Sequence, residues 1–151
     1  MNAGMEETRA LLRHLVATIA HRAGHCLRDA PPGFPDFAAG AGVRTPAQIL
    51  GHLTGLMHAA GALLTGAPRR ESPAAGWEAG IAAFEDALRG LDAAIAGAAA
   101  WREPLPALQG PLADALTHIG QLALLRRLAG APIAGGGYPR ADIRAGEIGL
   151  G

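Results

Sequence analysis

The chemistry available to this chain lies mainly in its six histidines, one of which is spaced to share a metal ion with a carboxylate. Asp114 and His118 are four residues apart, and Gln121 follows three residues later. On a helix these three side chains lie on one face, within about 60° of one another. A carboxylate and an imidazole placed in this way can both bind one metal ion. The same spacing also occurs in ordinary surface pairs, so both interpretations stay open.

A third ligand could come from His52, which lies on a different predicted helix. It is at the edge of the apolar face of that helix, where an imidazole can reach the space between helices. With Asp114 and His118 it would make a set of two histidines and one carboxylate. Such a set leaves coordination positions open for water or substrate, which favours catalysis over a structural role. The alternative is a histidine at the core edge whose polar atoms are satisfied by one hydrogen bond.

The other histidines and the single cysteine have simpler interpretations. One polar cluster on the first predicted helix lies nearly opposite its apolar stripe, and it consists of His14, Thr18, His21 and His25. We expect this cluster to face solvent or a partner subunit, with a metal site on that face as the alternative. His58 is likewise predicted to be exposed. Cys26 falls on the apolar stripe and is expected to be a small core residue, because buried cysteines are usually inert.

Composition is typical of a single helical domain over residues 1–151. Half of the residues are hydrophobic while only 4% are aromatic, so the core must consist of aliphatic residues and alanine. Alanine is the best helix former and a poor strand former, which favours an all-α fold. The 13 basic and 13 acidic residues cancel, which argues against a nucleic-acid partner.

The location of the protein is predicted from three features of the sequence. The N-terminus lacks the basic start and apolar run of a secretory signal, and one cysteine cannot form an internal disulfide. These features predict a cytoplasmic protein. Residues 45–68 carry no charged side chain, but their large apolar residues keep to one side, which is typical of a buried helix. We therefore expect no membrane span.

Four helices are predicted from apolar periodicity and from start and stop signals. The first covers about residues 5–29, and the second covers residues 46–65 with Thr45 directly before it. The third follows Ser72-Pro73 and has its apolar positions between residues 77 and 95. The fourth opens at Gly110-Pro111 and ends near residue 129. Four helices of this length most simply form a four-helix bundle. The Pro/Gly-rich connection at about 30–44 is long and suggests a crossover between the first two helices. Residues 131–151 are expected to form a loop or short turn that folds over a bundle mouth or against a second subunit.

Two segments resemble the DinB/YfiT-like four-helix bundle family. Thr45-Pro-Ala-Gln-Ile-Leu-Gly-His52 is similar to the start of the second helix of that family, and the segment from His118 to Gly130 is similar to its fourth-helix signature. By this resemblance His52 matches the first metal histidine and His118 the last, whereas Asp114 stands where the family has its middle histidine. The resemblance implies an up-down-down-up bundle, frequent homodimers, and a divalent metal used with a low-molecular-weight thiol.

Two functions from different classes follow from these observations. The first is a DinB-like enzyme in which His52, Asp114 and His118 hold Zn²⁺, Ni²⁺ or Fe²⁺, with Gln121 hydrogen-bonded behind them. Its reaction would be a thiol-dependent transfer or isomerisation of a small molecule. The second is a metal-free dimeric bundle that acts as a binding or stress-associated module, in which the inward histidine and aspartate only bond to each other.

Overall fold

The computed structural model describes residues 3–71 and 73–150, which are helical or irregular and contain no strand. This confirms the prediction of an all-α protein with four long helices that pack as a bundle. The helices are α1 (Ala3–Leu27), α2 (Pro46–Thr65), α3 (Trp77–Gly97), a single turn α4 (Pro104–Ala107) and α5 (Ala113–Leu128). Short 3₁₀ turns lie at Phe34–Asp36 and Tyr138–Arg140. None of these helices is long and apolar enough to cross a membrane.

The predicted start and stop of α2 are confirmed. The Thr45 hydroxyl accepts the backbone N–H of Gln48 at 3.3 Å, and the Gln48 side chain accepts the N–H of Thr45 at 2.9 Å. This capping box satisfies two N–H groups that have no partner inside the helix, and Pro46 needs none. Gly66 ends the helix with a φ of 73°, a conformation that costs glycine nothing. His52 is therefore held in the second turn of a well-capped helix.

The fourth helix begins earlier than predicted. Gly110 and Pro111 do not open it, because the chain is already helical from Pro104 and passes through both residues in a π-helical turn, Leu108–Leu112. The wider turn tolerates Pro111, which has no N–H to donate and whose ring would clash in a regular α-helix. Gly130 follows the end of the helix with a φ of 77°, as expected for its terminal glycine. The π turn sets the angle at which α5 presents Asp114.

The third helix begins later than predicted, at Trp77 rather than directly after Pro73. Ser72 lies outside the described residues. Gly76 precedes the helix with a φ of 95° and no side-chain cap, so the turn is made by backbone freedom instead of a capping hydroxyl. Trp77 packs edge-on against Phe34, with ring centroids 6.0 Å apart, and so anchors the helix to the long connection after α1.

Helices α2 and α3 run in the same direction. Leu50 near the start of α2 packs against Gly80 near the start of α3, where a Cβ would lie only 3.0 Å from the leucine side chain. Thr65 and Ala94, near the two ends, line one cavity. Because parallel helices need a connection that returns along their full length, the described parts of this connection, 66–71 and 73–76, pass back over the outside of α2.

The other two helices run opposite to this pair. Arg13 near the start of α1 forms a two-bond ion pair with Asp92 near the end of α3, at 2.8 and 2.9 Å. Arg102, just before α4, donates its backbone N–H to Leu64 near the end of α2. From Arg102 the chain runs alongside α2 toward the N-terminal end of α2. The helix directions are therefore up, down, down and up.

The core is aliphatic, as the composition predicts. Leucine, isoleucine and alanine side chains from all four long helices are buried, together with two aromatic rings, Phe34 and Phe84. Cys26 is buried among them and its thiol approaches the carbonyl of Ile119 at 3.7 Å, which confirms that it is a core residue. Burial raises its pKa to about 11, so it is a thiol rather than a thiolate at neutral pH.

A buried arginine joins the two upward helices. Arg126 of α5 is only 6% exposed, and its guanidinium donates to the carbonyls of Cys26, Arg28 and Asp29 at the end of α1 and of Ala131 after α5. A helix C-terminus carries carbonyls without intrahelical partners and a partial negative charge, both of which favour a cation there. Arg126 therefore stabilises the end of α1 as well as the end of its own helix.

The C-terminal segment packs along the bundle. Tyr138 contacts the imidazoles of His21 and His25 on α1, with ring centroids 6.3 Å away from each. Farther on, Leu150 is buried and donates its N–H to the Glu85 carboxylate of α3 at 3.0 Å. The prediction that this face of α1 is open to solvent or a partner is therefore wrong near its C-terminal end, where the protein's own tail covers it.

Candidate metal centre

His52, Asp114 and His118 come together between α2 and α5, as their spacing predicts. One ligand atom of each lies within 4.8 Å of the other two, so the group could hold a metal ion. Asp114 Oδ2 is 3.4 Å from His52 Nε2 and 3.3 Å from His118 Nε2. The two imidazoles stand edge to face, with ring centroids 4.5 Å apart. Both rings therefore direct Nε2 toward the same carboxylate oxygen.

Gln121 determines which nitrogen of His118 can bind a cation. Its Oε1 accepts a hydrogen bond from His118 Nδ1 at 2.8 Å, so Nδ1 carries the proton. In the neutral ring, Nε2 then has a lone pair that faces Asp114 Oδ2. Two acceptors at 3.3 Å repel each other unless a proton or metal ion lies between them. The donor set therefore fits a cation.

The centre lies near the bundle surface. The side chain of His118 is 12% exposed, that of His52 32%, and that of Asp114 45%. One histidine is therefore held inside the bundle while the carboxylate borders solvent.

The electrostatics favour a neutral His52. Burial lowers its pKa below the ordinary value of 6.5, and the nearby His118 and Arg44 lower it further, while the hydrogen bond to Asp114 acts in the opposite direction. A neutral imidazole has the lone pair that a metal ion requires. His52 is therefore ready to bind a cation at neutral pH.

The alternative metal site on α1 lacks ligands. His21 and His25 bring their Nε2 atoms to within 3.2 Å of each other. Across the described residues, however, no carboxylate, thiol or further imidazole joins them in a group of three. His14 is exposed and lies seven residues before His21, about two helical turns away. The two histidines are therefore a hydrogen-bonded pair.

The prediction that His58 is exposed is wrong. It is half-buried rather than exposed, because residues 66–71 fold back over α2 and the ring of His58 bonds to the backbone of Arg70. It lines a groove of about 780 Å³ with Arg69, Thr54 and Trp77. The helical wheel of α2 places His58 away from the core correctly, but it contains no information about a loop that returns over that face.

Burial of this histidine predicts that acid destabilises the protein. The pKa of His58 lies below 6.5, first because of burial and then because of Arg70 and Arg69. Between that lowered pKa and 6.5 the unfolded chain binds more protons, so the free energy of unfolding falls as the pH drops through this window. We expect a lower urea midpoint at pH 5.5 than at pH 7.5, with a smaller difference in His58→Gln. An equal difference in the variant and the parent would contradict this cause, and the exposed His14→Gln serves as the control.

Comparison of the chain with protein-family models, curated proteins and solved structures gives no match. The resemblance to the DinB/YfiT-like family thus rests on the Thr45–His52 and His118–Gly130 motifs alone. What can be concluded at this point is an all-helical bundle with a His-Asp-His group that could hold a metal ion.

Proposed function

We propose that the protein is a cytoplasmic, DinB-like enzyme that uses a divalent metal held by His52, Asp114 and His118 to act on a small molecule. The observation that carries this proposal is the convergence of three ligand atoms within 4.8 Å, with Gln121 orienting the His118 lone pair toward them. A carboxylate or carbonyl bonded to the far nitrogen of a ligating histidine is the usual support of a metal site. In this protein the amide oxygen of Gln121 accepts that hydrogen bond from His118 Nδ1.

The ligand set supports catalysis rather than a structural role. Three protein ligands leave at least one position open on Zn²⁺ and more on Fe²⁺ or Ni²⁺, and the partly exposed Asp114 borders solvent. A divalent ion bound there supplies Lewis acidity, which lowers the pKa of a thiol or water toward neutrality. His118 and Gln121 keep the site rigid, and His52 stays deprotonated. A low-molecular-weight thiol as co-substrate, and transfer or isomerisation as the reaction, rest on the family resemblance.

A homodimer is part of the same proposal. Several leucines are more than 40% exposed, and those on α4, the π turn and α5 are Leu105, Leu108, Leu124 and Leu128. Exposed apolar side chains indicate an interaction surface where they form one contiguous patch. A second copy of the chain would remove them from water.

A metal-free bundle is the second candidate. It is favoured by the proximity of Asp114 Oδ2 to both imidazoles, because the carboxylate can accept a hydrogen bond from His52 Nε2 at 3.4 Å and lies 3.3 Å from His118 Nε2. In that case the three residues form a hydrogen-bonded cluster, and the protein acts through binding. The two candidates differ in whether the cluster takes up a metal ion.

Elemental analysis tests the choice directly. Protein purified without chelators or metal-affinity resin should contain close to one equivalent of metal per chain, and His52→Ala and His118→Ala should each abolish it. The control is His14→Ala, which removes an exposed histidine and should retain the metal. Protein that stays empty after incubation with Zn²⁺, Ni²⁺ and Fe²⁺ would reject the enzyme and leave the binding module.

A further inference from the structure

Another cavity lies between α1 and the C-terminal segment. It has a volume of about 380 Å³, and it is lined on one side by α1 and on the other by the turn at Tyr138–Arg140 and the residues after it. The α1 side chains that line it are His14, Thr18 and Arg22. It shares no residue with the His-Asp-His group.

Arg22 is the unusual residue of this cavity. Its guanidinium carbon lies 4.2 Å from the centre of the Tyr138 ring, so the aromatic ring covers one face of the cation. Its Nε is buried and has no hydrogen-bond partner within the described chain. Buried N–H groups of a charged side chain are almost always bonded, and one that is not requires an explanation such as an ion or ligand.

Arg22 and the nearby Arg28 have no acid partner. Over residues 3–71 and 73–150 neither guanidinium forms an ion pair with a carboxylate. Elsewhere in the bundle an arginine does pair with an acid, as Arg13 does with Asp92 at 2.8 Å. Burial, followed by His25, Arg28 and Arg22, lowers the pKa of His21, which favours the neutral form of that imidazole. The chain therefore supplies two guanidinium charges here without a paired carboxylate.

We propose that the cavity between α1 and the C-terminal segment binds a small oxyanion, such as the carboxylate or phosphate group of a small molecule, through the guanidinium of Arg22. Two parallel N–H groups of a guanidinium match two oxygens of either anion. The Tyr138 ring holds the plane of the guanidinium, so little side-chain freedom is lost on binding. The guanidinium of Arg28 adds a second positive charge nearby, which favours an anion.

Binding would also stabilise the C-terminal segment. The anion would contact Arg22 on α1 while Tyr138 covers the same guanidinium from the tail, so the occupied cavity joins the two. Because the ligand pairs with the otherwise unpaired guanidinium beneath Tyr138, it should strengthen the packing of residues 138–143 on the helix.

The test is a titration of the full-length protein monitored at the arginine side chains. In ¹H–¹⁵N spectra the Nε–H signal of Arg22, identified by its loss in Arg22→Lys, should shift saturably with inorganic phosphate or with acetate. We expect half-saturation below about 1 mM for at least one of them, and no saturable shift with chloride at the same ionic strength. The two titrations distinguish a phosphate ligand from a carboxylate ligand.

Variants give the second arm of the test. Arg22→Gln should weaken binding of the same anion at least about tenfold, since hydrogen bonds to a charged group are lost. Arg127→Gln removes the same charge from an exposed position on α5 and should leave it unchanged. A shift that is linear in concentration, equal for chloride, or retained in Arg22→Gln would overturn the proposal. The wild-type titration alone decides if Arg22→Gln does not fold, and metal content at the His-Asp-His group affects neither outcome.

Discussion

Replacing Asp114 with asparagine should reduce the affinity of the protein for Zn²⁺ at least about 100-fold. The change keeps the size of the side chain but removes the negative charge that lies 3.3–3.4 Å from both imidazole nitrogens. Even the loss of a group that only supports a ligand costs 10–100-fold in affinity, so the loss of a ligand should cost no less. The measurement is competition for zinc against a chromophoric chelator at pH 7.5.

The control for this experiment is Asp86→Asn, which removes a carboxylate from an exposed position on α3. It should bind zinc as the parent does. If Asp114→Asn also binds zinc like the parent, Asp114 is not a ligand and the proposed centre is wrong. If the parent binds none of Zn²⁺, Ni²⁺ and Fe²⁺, the metal centre is rejected in favour of the hydrogen-bonded cluster of the second candidate.

Asp114→His gives an independent arm, because it places histidine where the resembled family has one. An imidazole four residues before His118 lies on the same helical face and has a neutral nitrogen ligand to offer. We expect this variant to retain zinc binding that Asp114→Asn loses. Retention in the histidine variant together with loss in the asparagine variant separates loss of a ligand from a general loss of structure.

The parts of the fold that were predictable are those specified by near neighbours in the chain. The start of α2 depends on Thr45, Pro46 and Gln48, which bond to one another, so the sequence pattern contains the whole cause. The grouping of the candidate ligands was predictable for a similar reason. Helical geometry places Asp114 beside His118, and the apolar face of α2 places His52 toward the other helices.

The predictions that were wrong concern features determined by contacts between residues far apart in the sequence. Gly110 and Pro111 are typical start signals, yet the chain there is already helical and absorbs the proline in a π turn. Glycine and proline set local preferences of only a few kcal/mol, which packing against α2 can exceed. The burial of His58 and the covering of His21 likewise depend on segments that return to these helices from elsewhere in the chain.

The partners of Arg126 are the clearest case of information absent from local sequence. Three of its four acceptors belong to Cys26, Arg28 and Asp29, about 100 residues away. Backbone carbonyls carry no residue-specific pattern, so no motif marks them as acceptors. The arginine also lies 5.5 Å from the centre of the Phe34 ring, which belongs to the connection after α1.

These contacts predict that Arg126→Met lowers the free energy of unfolding by about 3 kcal/mol. Methionine keeps most of the apolar stem but donates no hydrogen bond, so the buried carbonyls at the end of α1 lose their donor and the favourable charge at the helix terminus. Urea unfolding followed by circular dichroism measures the loss. The matched control is Arg127→Met, next to it and exposed, for which we expect a change of less than about 0.5 kcal/mol.

Arg126→Lys distinguishes the charge of this side chain from its geometry. Lysine keeps the positive charge, but its single ammonium cannot reach acceptors on both sides, at the end of α1 and at Ala131 after α5. Its free energy of unfolding should therefore fall between those of the parent and Arg126→Met. If lysine matches the parent, charge at the helix terminus is the whole contribution; if Arg126→Met itself unfolds like the parent, the guanidinium does not join α1 to α5.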